Sequence, residues 1–196
     1  MSNKRRVFLA LHHRGNLSLG ENRQRLGHAA YHWGILVSPK IYKGPDCYVF
    51  DVSDGPLLDS VNRVNRNPEG NWRFRGNGNI DPKENGNLLG KVMIGKVPNE
   101  VTYAEIHGFL EAIPLPQKGV LPEQNCVTWT RAAICRLQEN GLVEQFDLNR
   151  FMDESLAFAD QRLQSLNTTP DTTPDTTPDT TPDTTPACIN YTGRRM

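Results

Sequence analysis

The chain of 196 residues carries 22 basic and 22 acidic side chains and no formal net charge. That balance argues against nucleic acid as a partner, and no apolar run approaches the ~20 residues of a membrane span. Four cysteines, Cys47, Cys126, Cys135 and Cys188, show neither CxxC nor metal-ligand spacing, so a disulfide framework is not expected and a reducing, cytoplasmic setting is.

The first predicted strand runs from Arg6 to Leu11. Its apolar stretch is shorter than the ~7–15 residues of a signal-peptide core. His12 and His13 follow; neighbours on a strand point to opposite faces, and no carboxylate or cysteine stands at ligand spacing, so no metal is expected. Gly15 to Gly27 reads as a polar loop overhanging a site. His32 to Ser38 is a second strand, closed by Pro39, and Cys47 to Val52 a third between Gly-Pro turn signals. Asn71 to Arg75 alternates with period two and predicts a half-buried strand. Gly76 to Asn87 is a Gly/Asn-rich loop that lacks the lysine and helix of a phosphate cradle. Leu88 to Val97 returns to strand and ends at Pro98.

Three helices follow. Asn99 is the expected N-cap of the first, with Ile106, Phe109, Leu110 and Ile113 inward and His107 facing solvent. The second runs from Cys126 to about Asn140 with Trp129, Ala133, Ile134 and Leu137 inward; Cys135 is expected in the core. The third spans roughly Arg150 to Leu166 with Met152, Leu156, Ala159, Leu163 and Leu166 at helical spacing. From Thr168 to Pro186 the chain repeats Thr-Thr-Pro-Asp, a pattern that forbids helix and offers nothing apolar to bury. The organisation predicted is one globular domain over 1–166 and a disordered tail over 167–196. Because strands and helices segregate along the chain, the fold class is α+β, an antiparallel sheet packed against a few helices.

Two distant stretches carry the chemistry. Tyr31-His32-Trp33-Gly34-Ile35-Leu36-Val37 puts a histidine at the head of a buried strand, and Gln124-Asn125-Cys126-Val127-Thr128-Trp129 puts a cysteine where a loop becomes a helix. A helix N-terminus beside an imidazole favours the thiolate. Cys126 is then a nucleophile and His32 the group that takes and returns its proton. The Cys126 backbone N–H, with Asn125 or Gln124, would hold an oxyanion. A third group should orient the imidazole; Asp51 and Tyr48, on the strand after His32, are the candidates.

These stretches, with Leu89 to Val97, resemble a large family of uncharacterised fungal proteins that share a Tyr-His-Trp strand and an Asn-Cys-Val-x-Trp helix start. More distantly, they look like the lecithin:retinol acyltransferases and the desumoylating isopeptidases. That likeness implies a permuted papain-like arrangement and a cysteine-dependent hydrolase or acyl/amide transferase working through a thioester. It implies no cofactor, and a small-molecule or protein substrate that the residues do not name. The alternative is a non-catalytic binding or accessory protein of the same fold, serving beside a fungal biosynthetic pathway.

Overall fold

The computed structural model describes residues 4–41, 43–59, 61–167 and 187–193. Six strands form one sheet: β1 (Arg6–His12), β2 (His32–Ser38), β3 (Cys47–Ser53), β4 (Arg73–Ile80), β5 (Leu88–Lys96) and β6 (Ala187–Asn190). Their order is β4-β3-β2-β1-β5-β6. Every pairing is antiparallel except β5 with β6, which is parallel. Four helices accompany it: α1 (Gly20–Leu26), α2 (Tyr103–Glu111), α3 (Cys126–Glu139) and α4 (Leu148–Asn167). The fold is mixed α+β.

The central strands read as unbroken apolar runs because both faces are covered. Val7, Leu9 and Leu11 of β1, Trp33, Ile35 and Val37 of β2, and Phe50 and Val52 of β3 join Trp129, Ala133, Ile134 and Leu137 of α3 in the main core. Phe8, Ala10, Leu36, Cys47 and Met93 form a smaller cluster of their own. Gly95 of β5 is required by close approach: a Cβ there would lie 2.0 Å from the Leu142 carbonyl oxygen.

The structure departs from the sequence expectations where a local signal was outcompeted. Gly15 to Gly27, expected as loop, includes a 3-10 turn over Gly15–Ser18 and the helix α1. β4 starts at Arg73 and continues through the glycines to Ile80, because pairing with β3 supplies the order that propensity lacks. α2 is capped by Thr102, not Asn99: Thr102 and Glu105 satisfy each other's backbone N–H groups in a capping box. His107 is not simply solvent-facing; its ring packs edge-on against Phe50 and Phe74. Cys135 is exposed and Cys47 is fully buried, and all four cysteines are free.

The expected tail is corrected at its far end. The repeats from Thr168 to Pro186 lie outside the described residues, but Ala187–Asn190 adds a parallel strand to the edge of β5. The anchor is Tyr191, whose N–H donates to the Met93 carbonyl over 2.9 Å. Its buried ring stands edge-on to Phe146 and Phe151, at 5.2 and 4.7 Å between centroids. One aromatic side chain 24 residues past the end of α4 leaves no periodic trace, so pattern alone passes over it.

Candidate functional site

Antiparallel pairing sets out the site. The ends of β1 and β2 meet with His12 directly opposite His32, and β3 and β4 pair Asp51 directly opposite Arg75. Ile35 pairs with Phe50, which puts Asp51 beside Gly34 and one step diagonally from His32. Gly34 leaves room for that reach: a Cβ there would stand 3.1 Å from the Asp51 Cβ.

His32 Nε2 lies 2.9 Å from Asp51 Oδ2. Arg75 closes on the same carboxylate with both arms, Nε donating to Oδ1 at 2.6 Å and Nη2 to Oδ2 at 2.7 Å. Asp51 is buried. Desolvation works against its charge, but hydrogen bonds from His32 and Arg75 outweigh it and hold the carboxyl down at about 2. His32 shows the complementary effect. Burial opposes its charge, while hydrogen bonds to Asp51 and to the Cys126 thiol push it up to about 9. The ring therefore lies between the Asp51 carboxylate and the Cys126 sulfur, and its interactions with both favour the charged form over the neutral one.

Cys126 opens α3. Asn125 is the N-cap, its Oδ1 accepting from the Val127 N–H at 2.9 Å while its own N–H donates to Thr128 Oγ1 at 3.3 Å. That box fixes the helix start, and with it the thiol, whose Sγ sits 4.0 Å from the Tyr31 carbonyl oxygen. The helix dipole presents its positive end there. Cys126 is 2 % exposed.

The structure thus brings together Cys126, His32 and Asp51. Tyr48, the other candidate for the third position, is not with them: its ring stacks on Tyr103 at 3.7 Å between centroids. Asn125 is engaged as a cap. Gln124 Oε1 accepts from the Gln117 N–H at 2.9 Å, which closes the loop before the thiol. A cavity of about 480 Å³ lies along that loop, lined by Asp54, Trp72, Lys118, Val120 and Gln124 among others.

Two residues were not found from the sequence. Arg75 orients Asp51; its only sequence signal is the alternation of Arg73-Phe74-Arg75 on a half-buried strand. His12 sits with its ring centroid 5.8 Å from that of His32, and its Nδ1 is buried with no hydrogen-bond partner among the described residues. Burial, reinforced by the neighbouring His32 charge, lowers it to about 4 and keeps it neutral. His12, His13, His32, Asp51 and Arg75 all line a cavity of about 500 Å³, which Cys126 does not. Both histidines reach it although they are adjacent in sequence, because β1 ends at His12 and the alternation of the strand does not extend to His13.

Among the described residues there is no cluster of three or more His, Cys, Asp or Glu fit for a metal ion, and no helix long and apolar enough to cross a membrane. The chain belongs to a family of unknown function, DUF6914, whose model matches residues 4–167 and so takes in β1 to β5 and all four helices. No curated protein and no solved structure matches the chain.

Proposed function

We propose that the protein is a cysteine-dependent hydrolase or acyl/amide transferase in which Cys126 and His32 act as a pair and Asp51 orients the imidazole. The observation that carries this reading is the His32 ring, hydrogen-bonded both to Asp51 and to Cys126 at the start of α3. An imidazolium and a helix N-terminus both favour thiolate. Cys126 Sγ attacks a carbonyl carbon, the bond to the leaving group breaks, and the His32 proton passes to that group. The neutral imidazole then takes a proton from water or an acceptor, whose oxygen or nitrogen displaces Sγ and regenerates the pair. The Cys126 backbone N–H, with the Gln124 side-chain amide, would be the donors to the developing oxyanion. The cavity beside Gln124 and Trp72 would take the acyl chain. The order His32, Asp51, Cys126 is also what supports the likeness to permuted papain-like enzymes.

The test is acyl transfer from p-nitrophenyl acetate, followed by peptide mass spectrometry. Acetylation of Cys126 with a burst of nitrophenol, lost in Cys126→Ala and slowed in Asp51→Asn, is expected. A Cys126 that is unmodified in samples quenched during the burst, with nitrophenol released as fast by Cys126→Ala as by the wild type, would remove the proposal.

The burial of Cys126 favours a second reading, a non-catalytic binding or accessory protein of the same fold. In that case the thiol is packing, and the polar cavity around His12, His13 and Arg75 is the ligand site.

A further inference from the structure

The end of the sheet remote from His32 carries an unmatched cluster of charge. Lys4 and Arg6 at the head of β1, Lys40 just past β2 and Lys96 at the tip of β5 enclose a concavity of about 240 Å³. These four cations are its lining, and no carboxylate shares it. Arg6 stands directly opposite Lys96 in the β1–β5 ladder and opposite Ser38 in the β1–β2 ladder. Like charges facing one another across strands destabilise a sheet. No ion pair among the described residues relieves any of the four. Nor does a general excess of cations explain them, since the chain is neutral overall.

A multiply charged anion converts this repulsion into attraction. The guanidinium fork of Arg6 matches two phosphate oxygens, and the three ammonium groups serve as point charges around them. We propose that this concavity binds a phosphorylated ligand, with a di- or polyphosphate group held by Lys4, Arg6, Lys40 and Lys96. Arg6 and His12 stand six residues apart on β1, roughly 20 Å at strand rise, so this site is separate from the one around Cys126. The same phosphate chemistry could be offered by a free metabolite or by a phosphoinositide headgroup. Ile41, 63 % exposed beside Lys40, adjoins the cluster in either case.

The test uses the full chain. Pyrophosphate and inorganic phosphate are titrated by calorimetry and thermal shift against sodium chloride at matched ionic strength, and co-sedimentation is measured with phosphatidylcholine vesicles with and without phosphatidylinositol bisphosphate. Pyrophosphate is expected to bind and raise Tm beyond the chloride control. Arg6→Gln and Lys96→Gln should each weaken binding at least tenfold while leaving the ligand-free Tm equal or higher, since repulsion is relieved. Lys43→Gln should bind as the wild type does. Sedimentation with the bisphosphate vesicles alone would identify a lipid headgroup, and binding of pyrophosphate without sedimentation a free ligand; both support the site. A Tm shift that chloride reproduces, or binding retained in Arg6→Gln/Lys96→Gln, would overturn it.

Discussion

At the scale of single residues, His12 and His32 are partners in register with opposite charge behaviour, and pH separates them. His32 titrates at about 9 in the fold against an ordinary 6.5. Its contribution to stability is complete below 6.5 and disappears as pH rises through 9. Asp51, held at about 2 against 3.8, contributes above 3.8 and loses that as pH falls towards 2. His12 works the other way: at about 4 it stays neutral while the unfolded chain takes up a proton near 6.5. Stability therefore falls as pH drops from 6.5 to 4, by at most about 1.4 kcal/mol per pH unit from this group. Urea unfolding of His12→Asn should show a flatter slope in that window, and an unchanged slope would mean that His12 is not the group responsible. Asp51→Asn leaves Arg75 and His32 without their shared carboxylate. Loss of about 3 kcal/mol is expected by denaturation, with the His32 pKa by NMR moving down towards 6.5. The sequence pointed to Cys126, His32 and Asp51 because helix starts and strand heads are local signals. It could not choose between Asp51 and Tyr48, since the register of β3 against β2, which puts Asp51 diagonal to His32, is a pairing between strands that neither strand displays alone.

At the scale of elements, α3 depends on its first turn. Asn125→Ala removes the acceptor for the Val127 N–H and should cost about 1 kcal/mol. It should also loosen the thiol, so that Cys126 alkylation becomes less dependent on His32; a variant as stable as wild type would show that the cap is redundant. β6 makes a sharper case. Tyr191→Ala removes a buried ring packed on Phe146 and Phe151 and should cost about 3 kcal/mol. For a chain of this size that is a fall of roughly 6–12 °C in Tm. A melting curve within 2 °C of wild type, on that same scale, would mean that β6 adds nothing to the domain. β2, α3 and β5 were legible to within a residue or two because each pairs an apolar run with a cap or a Pro stop. β4 and β6 were not, since glycine-rich or four-residue strands owe their order to the neighbour they pair with.

At the scale of the molecule, the sheet carries two chemically distinct ends. One presents His12, His32 and the Asp51–Arg75 pair beside the start of α3, and the other gathers Lys4, Arg6, Lys40 and Lys96. The α+β class follows from the segregation of β2 to β5 from the helices α2 to α4 along the chain, which the sequence displays directly. The sheet order does not, because joining β1 to β5 and β5 to β6 depends on contacts far apart in sequence. Everything proposed about catalysis rests on the state of one thiol, and alkylation measures it. Iodoacetamide labelling of the folded protein across pH, read peptide by peptide, compares Cys126 with Cys47, which burial pushes up to about 12. Cys126 is expected to label faster than Cys47 near neutral pH, and His32→Ala to slow it. A Cys126 that stays unlabelled until the protein unfolds, in wild type and variant alike, would contradict the catalytic proposal.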